Sequence, residues 1–227
     1  MNSTGPHFMS PSPAIICIGR NYAAHAAEMQ GQVPERPTVF MKNPAAICAD
    51  GEDIVIPSIC RTNGPQVDFE GELVAVIGRD CRDVSEQDAL KAVSGWAVAN
   101  DVSARWWQKN GSGGQWIRGK SFDTFCPVST PVGPEAISDP QSLMLRTWVN
   151  GELMQEASTA DMIFPVATLI AELSRGMTLL QGTLLLTGTP SGVGAARTPP
   201  VYLADQDEVI VEIEGVGRLR NRVIEDA

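Results

Sequence analysis

Apolar residues along the chain fall into short runs: Ala14–Ile18, Thr38–Met41, Leu73–Ile77, Trp96–Ala99, Leu143–Val149, Thr183–Leu186, Val209–Ile213 and Val216–Ile224. Their shortness and branched side chains predict strands. Asn150-Gly151, between Leu143–Val149 and Glu152–Gln155, is a two-residue hairpin signal, and Glu214-Gly215 turns a second hairpin. Helical patterns are few. Ser85 with Asp88 resembles a capping box, opening a helix that Gly95 would stop. Pro165 suits a first helical turn, Val166, Leu169, Ile170 and Leu173 make an i, i+3, i+4, i+7 stripe, and Gly176 ends it. Asn21 could cap a short turn through Met29. The pattern predicts a β-rich α+β fold, and 16 prolines and 21 glycines suit its many turns.

No linker or internal repeat divides the 227 residues, so one domain is expected over 14–227. Residues 1–13 carry no Lys or Arg and are expected to form a flexible tail rather than a secretory signal. With 43% hydrophobic residues, such a chain buries roughly 70% of its unfolded surface without disulfides. The formal charge of −10 and the lack of any basic run disfavour nucleic acid and anionic lipid as partners. Five scattered cysteines without a CxxC spacing fit small buried residues in a reducing, cytoplasmic setting. No apolar span is long enough for a membrane helix.

The chemistry begins at Val67–Ile77. Alternation puts Phe69, Leu73, Ala75 and Ile77 on one side of a strand and Asp68, Glu70 and Glu72 on the other, continued by Val74 and Val76. Either this is an exposed edge face, or three carboxylates are buried together and need raised pKa values or a cation. Asp101 ends the apolar run from Trp96 and is either a local cap or a partner of Glu70 and Glu72. In the second case the site is all-oxygen, suited to Mg²⁺ or Mn²⁺ with Ca²⁺ possible; zinc is disfavoured because the only histidines are His7 and His25. His25 and Glu28 are i, i+3 neighbours, either a surface pair or a base held by a carboxylate. Two Gly-rich segments, Gly113–Asp123 with Lys120 inside it and Leu186–Gly194, are loops; the second lacks the P-loop pattern but could bring N–H groups and Thr189 to a carboxylate. Trp106, Trp107 and Trp116 either wall a pocket or belong to the core.

Taken together, Gly19-Arg20-Asn21-Tyr22-x-x-His25-x-x-Glu28, Phe69-Glu70-Gly71-Glu72-Leu73, Asn100-Asp101-Val102-Ser103-Ala104-Arg105, Gly119–Phe125 and Thr187-Gly188-Thr189-Pro190-x-Gly192-Val193-Gly194 resemble the fumarylacetoacetate hydrolase family. The likeness runs in order from about Ala14 to Ile224 and is closest to the compact acylpyruvase, oxaloacetate decarboxylase and isomerase-like branch. The resemblance implies a mixed β-roll or barrel-like catalytic domain, commonly a homodimer. It implies that Glu70, Glu72 and Asp101 hold one Mg²⁺ or Mn²⁺, that His25 and Glu28 lie on a lid-like segment, and that Lys120 reaches the substrate oxygens. Arg20, Gln108 and Thr189 are the implied substrate-binding residues.

The implied substrate is a 2-oxo or 2,4-dioxo acid whose carboxylate and 2-oxo oxygens a metal can chelate, stabilising an enolate. The leading expectation is hydrolysis of a C–C bond in acylpyruvate-type acids, with His25 activating water. The same centre could decarboxylate or tautomerise oxaloacetate, or act as a 2-hydroxyhepta-2,4-diene-1,7-dioate isomerase, without an attacking water. A different class is a metal-stabilised binding protein without catalysis.

Overall fold

A computed structural model describes residues 12–226. In chain order the elements are β1 (Ile15–Gly19), α1 (Ala23–Glu28), β2 (Thr38–Lys42), β3 (Ile47–Ala49), β4 (Ile54–Ile56), β5 (Val67–Asp68), β6 (Gly71–Ile77) and α2 (Glu86–Ala89). There follow β7 (Val93–Asn100), β8 (Ser103–Ala104), α3 (Arg105–Lys109), α4 (Ile117–Lys120), β9 (Cys126–Val128), β10 (Met144–Val149) and β11 (Glu152–Ser158). The chain closes with α5 (Val166–Ser174), β12 (Leu184–Leu186), β13 (Glu208–Ile213) and β14 (Gly217–Glu225).

The β-rich expectation holds. A seven-stranded mixed sheet has the order β2-β1-β12-β6-β7-β9-β3, and a five-stranded sheet the order β11-β10-β13-β14-β4. Strands β10 and β13 lie against β6, and β13 and β14 against β7, so the second sheet covers the middle of the first. Period-two alternation then buries both faces of β6. Phe69, Leu73, Ala75 and Ile77 join the main core, while Val74 and Val76 join a second cluster with Ile15, Cys17, Ala97, Ala99, Val128 and Leu186. Phe40 on one edge strand and Ile47 on the other pack on that same second cluster, which lines the inner face of a curled sheet. The exposed-edge reading of Asp68–Glu72 is therefore excluded.

Several local expectations are met. Asn150 and Gly151 both take positive φ, 52° and 81°, the conformation a tight hairpin needs. Ser85 caps α2 by accepting from Asp88 N–H, and the four-residue stripe of α5 is wholly buried. Others are corrected. Gly95 does not stop a helix: it sits inside β7, where a Cβ would come within 2.7 Å of Val132 O. Pro165 is the residue before α5 rather than inside it. Tyr22, not Asn21, precedes α1, because the Asn21 amide is used elsewhere: it donates to Thr187 O at 2.8 Å and accepts from Phe164 N–H at 2.8 Å. Val67–Ile77 is two strands, since the chain changes partner at Phe69-Glu70, from β8 to β7. Residues 1–11 of the expected tail, including His7, lie outside the described residues, whereas Ser12 is buried, its hydroxyl 2.8 Å from Gly182 O.

Candidate active site

The antiparallel register of β6 and β7 pairs Gly71 with Asn100, which sets Asp101 next to Glu70 at the strand ends. Asp101 N–H donates to Glu70 O at 2.8 Å, and Glu70 N–H donates to Asn100 Oδ1 at 2.9 Å. The result is a buried group in which one carboxylate oxygen each from Glu70, Glu72 and Asp101 lie within 4.8 Å of one another. Asp68 stays outside it. Its carboxylate accepts from Gly194 and Ala195 N–H at 2.8 and 2.9 Å and from Arg105 Nε at 2.9 Å.

Three buried cations thread these carboxylates. Lys120 Nζ lies 2.7 Å from Glu70 Oε2 and 2.6 Å from Asp101 Oδ2. Arg105 Nη1 lies 2.6 Å from Glu70 Oε1, and Lys42 Nζ lies 2.5 Å from Asp101 Oδ1. Burial opposes the charge of Lys120, yet Asp101 and Glu70 outweigh it and hold its pKa above the ordinary value, so it is a fixed cation. Burial likewise works against ionisation of Glu70, but Lys120 and Arg105 hold its carboxyl below the usual range.

Glu72 is the exception. It accepts one hydrogen bond, from Gly188 N–H at 2.7 Å, and makes no ion pair among the described residues. Burial first, then the charges of Asp101 and Glu70, push its carboxyl well above the usual range. Four buried carboxylates, with Asp68 counted, thus face three cations. A hard divalent cation among Glu70, Glu72 and Asp101 would supply the missing charge from an all-oxygen donor set, so these residues fit Mg²⁺ or Mn²⁺.

Above this group is a cavity of about 110 Å³ lined among others by Arg20, His25, Glu70, Glu72, Arg105 and Gln108, with Lys109, Trp116, Lys120 and Thr189. His25 Nδ1 is 2.8 Å from Glu28 Oε1, and Gly192 N–H donates to Glu28 Oε2 at 2.8 Å. With Nδ1 occupied, Nε2 is the ring nitrogen left for a ligand. Gln108 Oε1 accepts from Arg105 Nη1 at 3.1 Å. The Thr189 hydroxyl donates to Gly71 O at 3.0 Å and accepts from Gln155 Nε2 at 2.8 Å. Of the three tryptophans Trp116 lines the cavity, whereas Trp107 packs against the core. The loop after β12 does bring N–H groups to carboxylates, but to the protein's own Glu72, Glu28 and Asp68. Gly188 and Gly192 have φ of 99° and 106°, and a Cβ at Gly192 would meet Met154 O at 2.1 Å, so this loop requires glycine.

Residues 14–224 match the family model of the fumarylacetoacetate (FAA) hydrolase C-terminal domain. The chain belongs to the fumarylacetoacetate hydrolase family. It is 43% identical over 211 residues to the mitochondrial oxaloacetate tautomerase FAHD2B of Bos taurus, covering 92% of this chain and 66% of that protein. The chain thus spans just under two thirds of that relative's length. A solved 5-carboxymethyl-2-hydroxymuconate delta-isomerase from Mycobacterium smegmatis superposes with a TM-score of 0.82 at 39% identity, covering 96% of this chain and 80% of that one. A 2-hydroxyhepta-2,4-diene-1,7-dioate isomerase from Mycobacterium marinum gives 0.81 at 40%, covering 96% and 76%. These three relatives are named for tautomerisation and isomerisation rather than for C–C hydrolysis.

Three residues at this site had no role from sequence. Lys42 follows the apolar run Thr38–Met41, and its position two residues after the core-facing Phe40 was the available signal. Arg105 stood in the family motif without an assigned partner, and Gln155, which accepts from Gly71 N–H at 3.0 Å, gave no signal in the hairpin strand that carries it.

Proposed function

We propose that this chain catalyses keto–enol tautomerisation of oxaloacetate-type 2-oxo dicarboxylic acids with Mg²⁺ or Mn²⁺. The observation that carries the reading is a division among the cavity's cations. Deep in the site, Arg105 and Lys120 are paired with carboxylates, whereas Arg20 and Lys109 make no ion pair among the described residues. A ligand with one acidic end at the carboxylate group and a second carboxylate toward Arg20 and Lys109 matches that distribution. The relatives named for oxaloacetate tautomerisation and for isomerisation of an unsaturated dicarboxylic acid support the same class.

Glu70, Glu72 and Asp101 would hold the cation, which when bound polarises the acid's 1-carboxylate and 2-oxo oxygens. Arg20, Gln108 and Thr189 border the space for the acid. His25, oriented by Glu28, takes a proton from C3. The C–H electron pair becomes the C2–C3 double bond, the carbonyl π pair moves onto the 2-oxygen, that oxygen takes a proton from water, and His25 returns its proton to the solvent. The Lys120 ammonium offsets that charge from the wall of the cavity. Hydrolysis of acylpyruvates is the second reading, favoured by the same His25–Glu28 pair, which could deprotonate a water instead.

We place the chain in a reducing, cytoplasmic compartment, because all five cysteines are free and buried. A homodimer follows from the family resemblance and is supported by Val39 and Met41, which are exposed on the edge strand β2. The test is the decay of enol-oxaloacetate absorbance with Mg²⁺ and with EDTA, run beside an acylpyruvate cleavage assay. Metal-dependent acceleration of the decay is expected. Cleavage of acylpyruvate with no acceleration of tautomerisation would overturn the first reading in favour of the second.

A further inference from the structure

Lys42 is a lysine with 1% of its surface exposed, on an edge strand, with no place in the chemistry above. Strand β2 pairs with β1 in antiparallel register, and alternation points Phe40 and Lys42 the same way. The Phe40 ring lies 4.9 Å from Lys120 Nζ, and Lys42 Nζ reaches Asp101 Oδ1 at 2.5 Å and Val102 O at 3.2 Å. One face of a single strand therefore backs both the fixed cation and one carboxylate of the site. Asp101 takes Lys42 on Oδ1 and presents Oδ2 to Lys120 and the Glu70 side.

We propose that Lys42 is a positioning residue: the resident counter-charge of Asp101, which fixes the carboxylate with Oδ2 inward and limits how strongly the three-carboxylate group draws a divalent cation. The proposal rests on the metal reading of Glu70, Glu72 and Asp101. A buried carboxylate deprived of its partner is costly, while removing both charges together is tolerated. A cation near a metal also repels it. Lys42 therefore keeps the metal-free site folded and weakens metal binding, two effects that a packing role for its alkyl stem would not link.

The experiment is thermal melting of the full chain, in EDTA and in Mn²⁺, for wild type, Lys42→Met, Asp101→Asn and the double variant. In EDTA, Lys42→Met should melt about 10 °C below wild type. Asp101→Asn added to Lys42→Met should recover at least about half of that loss, since it removes the stranded charge. The Mn²⁺-induced rise should be larger for Lys42→Met than for wild type, because the repelling charge is gone. If Lys42→Met does not fold, a soluble, cooperatively melting double variant supports the proposal. A double variant that melts no higher than Lys42→Met, or that also fails to fold, overturns it in favour of packing. An Mn²⁺ rise no larger in Lys42→Met than in wild type overturns the part concerning metal affinity. Absence of any Mn²⁺ rise in wild type defeats the metal reading instead, and the rescue measured in EDTA still decides the pairing of Lys42 with Asp101.

Discussion

The floor of the cavity and the α1 segment above it are built in opposite ways. The floor stands at the ends of β6 and β7, in the middle of the larger sheet, and its charges are threaded by Arg105, Lys120 and Lys42. The α1 segment is fastened at its start by Asn21 and the Tyr22–Met162 bridge, and near its end by the Glu28 bond to Gly192. Beyond Met29 it becomes largely exposed, with Gln30, Gln32, Val33, Glu35 and Arg36 all at the surface. Charge stabilisation, which loses value when its geometry shifts, sits on paired strands. The proposed base, His25, sits on a piece held by fewer bonds, which suits access.

The largest effect should come from breaking the floor. Glu72→Ala should cost on the order of 10³-fold in tautomerisation and in any acylpyruvate cleavage alike, since both need the same charge stabilisation. Rate assays on both substrates check this; loss of one reaction alone would show that the floor is not shared. Stability should move the other way without metal. The Glu72 carboxyl is raised in the folded state by burial, Asp101 and Glu70, so the folded protein holds that proton more tightly than the unfolded chain. Its contribution to stability is full below the unfolded carboxyl pKa and is lost as pH rises through the raised folded value. Melts in EDTA should show a fall with rising pH over that window which Glu72→Gln removes.

The next effect tests the α1 segment. His25→Ala should lower tautomerisation by about 10²-fold, the low end for a positioned acid–base group because water can relay the proton, and should lower any C–C hydrolysis more. Mn²⁺ binding should be unchanged. Titration calorimetry that showed weakened metal binding would join His25 to the floor and erase the contrast. Glu28→Gln keeps a side chain that can accept from Gly192 N–H but removes the charge facing the ring. A loss of about tenfold is expected, the worth of one charge-assisted hydrogen bond, with the melting temperature nearly unchanged.

How far the sequence revealed each region follows from how its contacts are made. Alternation within β6 separated Leu73, Ala75 and Ile77 from Val74 and Val76, and the family motif brought Asp101 to Glu70 and Glu72. The local i, i+3 spacing found the His25–Glu28 pair, which the structure joins at 2.8 Å. The alternation with Phe40 hinted that Lys42 is buried, but its partner was out of reach because it meets Asp101 across 59 positions, from a strand whose edge placement no local pattern reports. Asp68 misled for the same reason. It shares the strand-face pattern of Glu70 and Glu72, but the change of partner at Phe69-Glu70 and the amides of Gly194 and Ala195 turn it into a support for Arg105. The short strands β3, β4 and β9 owe their existence to partners far along the chain rather than to their own residues.

The smallest expected effect concerns motion. Residues 30–37 contain Gly31, Pro34 and Pro37, and Val33 is 54% exposed, so little apolar burial holds them. Amide hydrogen exchange should therefore run faster over 30–36 than over β6 and β7, with α1 between the two because Glu28 and Ala26 anchor it. Oxalate resembles the carboxylate and 2-oxo end of the proposed substrate but lacks its methylene and distal carboxylate. It should slow exchange at the floor and in α1 while changing 30–36 little; a four-carbon dicarboxylate long enough to reach Arg20 should slow both. Arg20 supplies that link: it has φ of 58°, its guanidinium lies 5.8 Å from the Trp116 ring centroid, and it lies close to Gly31. Full protection of 30–36 in the free protein would end the contrast between a fixed floor and a movable segment while leaving the assignment of His25 intact. Equal slowing by oxalate and by the longer dicarboxylate would instead show that the segment responds to the floor alone, and that Arg20 does not sense the far end of the acid.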